Sequence, residues 1–170
     1  TQTLAFRWHA STGLQNLGTL GGSRSEANSV SANGAVVVGV STNSTGESHA
    51  FRWTATEGMQ DLGLLEGGSS STALDVSADG TIVVGEASTP NGSRAFRWMP
   101  QRGMEDLNRA FANIIPQGWL LERANAISSD GRYITGVGIN PQGQLEAWLL
   151  DTRLTGDVDG NGCVNDADLL

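Results

Sequence analysis

Short runs of alternating apolar and polar residues recur along the chain and are separated by glycine-containing turns. The sequence Ala-Phe-Arg-Trp occurs at residues 5–8, 50–53 and 95–98, a constant interval of 45 residues. Each copy is followed, at the same spacing, by a Gly-Leu or Gly-Met step and then by Asn-Leu-Gly, Asp-Leu-Gly or Asp-Leu-Asn. A repeated interval of this length indicates one structural unit that is used several times.

A second pattern occupies the same place in each unit. A serine precedes an Asn-Gly or Asp-Gly step, and a β-branched run that ends in glycine follows it, at residues 31–39, 77–85 and 128–136. An Asx-Gly step between apolar runs is a strong hairpin signal. Each unit therefore predicts four strands: two joined by this hairpin, then the Ala-Phe-Arg-Trp strand, then the strand that ends in Asp-Leu-Gly.

Four strands in about 45 residues is the size of a β-propeller blade. We predict an all-β, β-propeller-like region over residues 1–152, with antiparallel units at about 1–26, 27–72, 73–123 and 124–152. The first unit has only its last two strands and the last unit lacks its fourth, which leaves thirteen strands, or about three blades. Since closed propellers have about four to eight blades, we expect further blades before Thr1. Closure between the termini, closure by oligomerisation and a solenoid of small sheets are the alternatives.

The repeated strand carries most of the aromatic residues. Phe and Trp two positions apart share one face of a strand, so we expect them to form the core between blades. A stack of tryptophans for sugar rings is the rival interpretation. The arginine between them points the other way, and across a four-residue loop it predicts a partner nine positions later. The predicted pairs are Arg7 with Asn16, Arg52 with Asp61, and Arg97 with Asp106.

The segment 105–121 interrupts the repeat. Its apolar residues approach helical spacing up to Pro116, which predicts a short helix packed by Phe111 and Ile115. Such an insertion suits either a binding loop or a plug at one end of the blades.

The composition excludes several function classes. The net charge is −8, and the ten basic residues, all arginine, are scattered rather than clustered, so we expect no nucleic-acid binding. No apolar run has the length of a membrane span. No nucleophile elbow, zinc-protease motif or cysteine nucleophile is present, and the scattered carboxylates match no acid–base motif. We therefore name no catalytic residue and expect that the chain is not an enzyme.

The C-terminal tail carries the most specific chemistry. Residues 157–168 fit a calcium loop position by position, with oxygen donors at positions one, three, five, nine and twelve and glycine at position six. Position seven binds through its backbone carbonyl. Aspartate replaces the usual glutamate at position twelve, which shortens the closing carboxylate. A disordered tail rich in aspartate and glycine is the alternative. The predicted calcium ligands are Asp157, Asp159, Asn161, Cys163, Asn165 and Asp168.

Two families resemble parts of this sequence. Residues 156–170, with their aspartate-rich loop running into Asp-Leu-Leu, are similar to the first calcium segment of a type I dockerin. The resemblance implies an EF-hand-like calcium segment at 157–170 after a linker at 153–156, in which Asn165 binds through water. It also implies attachment to a cohesin-like or other cell-surface protein. Asp166 and Ala167 replace the hydroxylated pair that is common in cellulosome dockerins.

Residues 1–152, with their Ala-Phe-Arg-Trp, Asp-Leu-Gly and Ser-Ala-Asp-Gly signatures, resemble the HAF family of extracellular bacterial repeats. This resemblance implies a secreted or cell-surface protein. We therefore expect a non-catalytic binding or scaffold module, with carbohydrate as one candidate ligand. The alternative is an accessory or catalytic part of an extracellular polysaccharide-degrading enzyme, either a glycoside hydrolase or a lyase, tethered through the dockerin.

Overall fold

The computed structural model describes residues 2–153 of the chain. The first sheet pairs β1 (Phe6–His9) with β2 (Gly13–Asn16). The second contains β3 (Gly21–Val30), β4 (Val36–Asn43), β5 (Ser48–Thr54) and β6 (Gly58–Asp61). The third contains β7 (Ser71–Val76), β8 (Val83–Thr89), β9 (Gly92–Met99) and β10 (Gly103–Asp106). After α1 (Leu107–Ala110), the fourth contains β11 (Leu120–Ile127), β12 (Tyr133–Ile139) and β13 (Leu145–Asp151).

This arrangement confirms the all-β prediction. The described residues form thirteen strands in four sheets, and every neighbouring pair within a sheet is antiparallel and consecutive in sequence. None of these sheets closes on itself within residues 2–153. The architecture is therefore a row of meander sheets, of which the second and third have four strands.

A serine and an Asx side chain hold the turn between the first two strands of each unit. In the third sheet, the Ser77 hydroxyl donates to Asp79 Oδ1 at 2.6 Å and accepts from the amide of Ile82 at 3.0 Å. Gly80 completes the turn at φ 76°, a conformation that residues with a Cβ rarely adopt. Ser31 with Asn33 and Ser128 with Asp130 repeat the arrangement. The hydroxyl bonds hold the pKa values of Asp79 and Asp130 below their usual range.

Each sheet packs the aromatic face of its third strand on the sheet before it. Phe51 and Trp53 pack with Ala5 and Leu17 of the first sheet. Phe96 packs with Val36, Val38 and Ala50 of the second sheet, and Trp148 packs with Val84 and Ala95 of the third. These aromatic residues are buried, which confirms that they form the core between neighbouring sheets.

The arginine of the repeat points the opposite way, toward the following sheet. The Arg7 guanidinium lies over the Trp53 ring at 4.5 Å from its centroid, and Arg97 lies over Phe111 at 4.6 Å. Cation–π contact and charge-assisted hydrogen bonds thus accommodate a half-buried arginine between two sheets.

The predicted arginine pairs are wrong by one residue. Arg7, Arg52 and Arg97 lie opposite Gln15, Gln60 and Glu105, not opposite Asn16, Asp61 and Asp106. The hairpin loop has three residues rather than four, because a glycine at φ 71–73° pairs directly with the end of the preceding strand. Arg7 Nε donates to Gln15 Oε1 at 2.8 Å and Arg97 Nε donates to Glu105 Oε2 at 2.9 Å.

The displaced Asx residues shape the chain where the fourth strand ends. Asn16, Asp61 and Asp106 each accept a bond from the backbone amide two residues later, at 2.8, 2.8 and 2.9 Å. This bond turns the chain and directs the intervening leucine into the core, where Leu17, Leu62 and Leu107 are buried. The Asp-Leu-Gly signature is therefore a turn motif.

The inserted segment begins with the predicted short helix. α1 starts at its N-cap Asp106 and ends at Phe111, whose fully buried ring packs with Leu121 and Ile134. Ile114 and Ile115 pack against the same cluster. The insertion therefore extends the core between the third and fourth sheets. No helix within residues 2–153 has the length and apolar character needed to cross a membrane.

Candidate functional site

Polar residues that differ between the units meet on the first strands of neighbouring sheets. Positions 29, 75 and 126 are equivalent in the repeat and hold Ser, Asp and Ala. The Ser29 hydroxyl donates to Asp75 Oδ1 at 2.6 Å, and the amide of Ile127 donates to Asp75 Oδ2 at 2.9 Å. Asp75 therefore joins three consecutive sheets. Because both of its oxygens are engaged, this cluster has a structural role and is a poor candidate for a ligand site.

A second set of buried polar groups joins the sheets further out. Ser71 is 1% exposed; its hydroxyl accepts from the amide of Ala50 at 2.9 Å and donates to the Gly63 carbonyl at 2.7 Å. Ser25 makes the same two bonds to the preceding unit. In the third unit, Asn108 replaces the glycine, and its amide group bonds both backbone groups of Leu121. These contacts fix the spacing of the sheets and form rigid walls beside the cleft described next.

A cleft of about 870 Å³ opens between the second and third sheets. Three segments line it: the loop 64–67 after β6, the hairpin tip 89–91 between β8 and β9, and the stretch 104–110 that contains α1. The side chain of Arg94 on β9 completes the lining. Since the insertion after β10 supplies one wall, the cleft is specific to this pair of sheets.

Charged groups of both signs line the cleft. Arg109 Nη1 and Glu66 Oε2 face each other at 3.2 Å, but their side chains are 75% and 84% exposed, so the pair contributes little stability. Glu105 is bonded by Arg97 at 2.9 Å and Arg102 at 3.5 Å, and Asp106 caps α1. These two carboxylates are therefore held in place.

Arg94 differs from the other cleft arginine. Its side chain is partly buried, and its Nη1 donates to the Ser93 carbonyl at 2.7 Å. No carboxylate lies within ion-pairing distance of Arg94 among residues 2–153. The remaining N–H groups of this guanidinium can donate to a carboxylate, phosphate or hydroxyl oxygen of a ligand.

The sequence analysis did not single out the cleft. Arg94 takes the position that His49 occupies in the preceding unit, and Glu66 lies in a loop where the first unit has Gly21. The available signal was therefore the set of loop positions at which the units differ. That signal has no periodicity, and only the packing of neighbouring units shows which of these positions share a cleft.

One histidine makes a close contact with a carboxylate. His49 is 9% exposed, and its Nδ1 lies 2.7 Å from Asp61 Oδ2, while its Nε2 lies 3.5 Å from Asn43 Nδ2. Within residues 2–153, no group of three or more His, Cys, Asp or Glu side chains is arranged to hold a metal ion. The pair joins β5 to β6 and is a local structural contact.

The predicted calcium ligands lie outside the described residues. Asp157, Asp159, Asn161, Cys163, Asn165 and Asp168 follow residue 153. The calcium loop, its EF-hand-like form and the domain boundaries around it stay predictions.

The architecture is similar to that of solved β-propellers. TolB from Acinetobacter baumannii aligns with a TM-score of 0.57 and 17% identity, over 87% of this chain and 35% of that protein. A protein of Agrobacterium tumefaciens assigned as TolB aligns with a TM-score of 0.61 and 16% identity, over 95% of this chain and 54% of that one. The chain thus spans between a third and about half of their lengths. At this identity the likeness shows a β-propeller-like fold and nothing more. No family model and no curated protein matches the chain.

Proposed function

We propose that this chain is a non-catalytic binding or scaffold module of a secreted or cell-surface protein, and that its calcium-binding tail attaches it to a protein partner. The cleft between the second and third sheets is the proposed binding site. The single observation that carries this proposal is the partly buried Arg94 guanidinium, which has no carboxylate partner among the described residues and lines an 870 Å³ cleft.

The lining of the cleft suits a polar ligand with an acidic group. Arg94 supplies a charged donor on a rigid strand, and Arg109 can exchange its exposed ion pair with Glu66 for a ligand oxygen. Met104 and Pro90 offer apolar contact beside these polar groups. Acidic saccharides present this combination of carboxylate, hydroxyl and C–H surface, and they are the ligand class that we propose.

A glycan array followed by calorimetric titration tests this proposal. We expect the chain to bind uronic-acid-containing saccharides in preference to neutral ones of the same size. Arg94→Gln should weaken binding by about tenfold or more, because it removes a charge-assisted hydrogen bond. Arg123→Gln is the matched control, since Arg123 is an exposed arginine on β11 that bonds Asn125 and does not line the cleft. Equal losses in the two variants would contradict the proposed site.

One observation favours the alternative that the chain is part of a polysaccharide-degrading enzyme. Glu66, Glu105 and Asp106 line the same cleft, and glycoside hydrolysis uses a pair of carboxylates. Product release from an acidic polysaccharide, abolished by Glu105→Gln, would support this function. Binding without product release supports the binding module. Failure of both assays would favour a scaffold.

A further inference from the structure

Two apolar faces lie uncovered at opposite ends of the row of sheets. We call the first the leading face: Phe6, Trp8 and Leu14 of the first sheet are 58%, 68% and 66% exposed. We call the second the trailing face: Tyr133, Leu145 and Leu149 of the fourth sheet are 38%, 64% and 71% exposed. No sheet among residues 2–153 packs on either face. Uncovered clusters of large apolar side chains mark interaction surfaces.

The leading face has the composition of a buried face. Phe6 and Trp8 are the repeat equivalents of Phe51 and Trp53, which are 0% and 4% exposed. The only difference is that the aromatic face of the second sheet rests on the first sheet, whereas the leading face rests on none within the described residues. Its natural complement is the side of a sheet that carries the Val, Ala and Arg positions of the repeat, as in the contact of Phe96 with Val38 and Ala50.

The trailing face is that complementary side. Ala147 on β13 is equivalent to Ala50, and Tyr133 on β12 is equivalent to Val36. Both Val36 and Ala50 lie in the cluster that covers Phe96. The strands that make this contact inside the chain, namely the second and third of one sheet against the third and fourth of the next, are present at the two open ends.

Two substitutions in the repeat make the trailing face more apolar. Leu145 stands where the other units have Ser48 and Ser93, and Leu149 stands where they have Arg52 and Arg97. Terminal units that face water usually carry a polar outer surface. Replacing serine and arginine with exposed leucine therefore indicates that another sheet covers this face. In the internal contact, Arg7 lies over Trp53, so Leu149 occupies the position from which it would contact Trp8 of a neighbouring copy.

We propose that two copies of this chain associate head to tail, with the leading face of each copy packed on the trailing face of the other. Each copy has four sheets, so two copies supply eight, the upper end of the range of about four to eight blades in closed propellers. The assembly is a closed two-fold ring with two identical interfaces rather than an open filament.

Sedimentation velocity of the full chain over a concentration series tests the proposal. The monomer mass is 17.8 kDa, and we expect the chain to reach twice that mass and no more. Trp8→Glu and Leu149→Glu should each reduce the assembly to monomer. Ala55→Glu is the matched control: it adds the same charge in the exposed loop between β5 and β6, away from both faces, and should leave the dimer unchanged. Far-UV circular dichroism and thermal melting of each variant establish that it is folded.

Mixing the two monomeric variants separates the possible pairings. Trp8→Glu keeps an intact trailing face and Leu149→Glu keeps an intact leading face, so their equimolar mixture should regain dimers through one interface. A wild-type chain that stays monomeric at every concentration would overturn the proposal, whether another segment or solvent covers the faces. A Leu149→Glu variant that remains dimeric would show pairing of leading faces and would overturn the head-to-tail arrangement. Masses that grow beyond the dimer would overturn the closed ring.

Discussion

One glycine in each unit is required because an aromatic ring and a carbonyl oxygen leave no room for a side chain. Gly39, Gly85 and Gly136 lie on the second strand, directly opposite the aromatic residue of the third strand. A Cβ on any of the three would overlap a carbonyl oxygen of the first strand. That strand carries a β-bulge beside the glycine in all three sheets. The Val-Val-Gly signature is therefore a packing signature.

Gly85→Ala tests this packing. The added methyl group would overlap the Thr72 carbonyl oxygen and lie 2.9 Å from Phe96 Cε1, so the strands must separate. We expect the free energy of unfolding to fall by about 1–3 kcal/mol, the usual cost of overpacking a core. Urea denaturation of the variant and the wild type measures this difference.

Glu86→Ala is the control for Gly85→Ala, because residue 86 lies on the same strand and its side chain is only partly buried. Its free energy of unfolding should change by less than about 0.5 kcal/mol. A Gly85→Ala variant that is as stable as this control would mean that the strands adjust without strain.

The sequence predicted most of these residue roles but not the register of the last hairpin. The alternation of Phe, Arg and Trp is enough to place the aromatic residues in the core. The partner of the arginine depends on whether the loop has three or four residues, and both lengths fit the spacing from Trp53 to Asp61. The deciding feature is Gly58 at φ 73°, which pairs with Thr54 and shortens the loop. Backbone conformation of this kind is set by the folded hairpin.

The sheets are joined to one another by polar groups as well as by apolar packing. Asn28 Nδ2 donates to the Ala73 carbonyl at 2.7 Å, and the amide of Ala32 donates to the Ala78 carbonyl at 3.1 Å. The amide of Ala78 donates in turn to the Ser129 carbonyl at 3.1 Å. Each sheet therefore passes a hydrogen bond to the next at the same turn, which orients the sheets in addition to holding them together.

Asp75→Ala tests the contribution of the carboxylate that joins three sheets. The change leaves the Ser29 hydroxyl and the Ile127 amide without their partner, so we expect a loss of about 1–3 kcal/mol in the free energy of unfolding. Hydrogen exchange at the Ile127 amide should speed up at the same time. Asp75→Asn is the matched variant: its carbonyl oxygen can still accept from Ile127, so its loss should be smaller. Unchanged exchange at Ile127 in Asp75→Ala would contradict this role.

At the scale of the whole molecule, the repeat predicted the number of strands and their order, whereas the cleft and the two open faces became apparent only from the packing. The interval of 45 residues is a periodic signal and is read directly from the sequence. Glu66, Arg94 and Arg109 come from three segments that follow no period, so their meeting in one cleft depends on how the sheets stack. The exposure of Trp8 and the burial of Trp53 likewise depend on neighbours and not on the motif that they share.

Calcium titration of the full chain tests the predicted tail, whose ligands are independent of the sheets. We expect one ion per chain, with a Kd of about 10⁻⁴–10⁻³ M, as in extracellular calcium modules. Asp157→Ala should weaken binding by at least about tenfold, because it removes the first of the charged ligands. Asp166→Ala removes the same charge from a loop position that holds no ligand, and Cys163→Ala keeps the backbone carbonyl, so both should bind as the wild type does. Equal weakening by Asp157→Ala and Asp166→Ala would show that the tail attracts cations only through its net charge and does not enclose a bound ion.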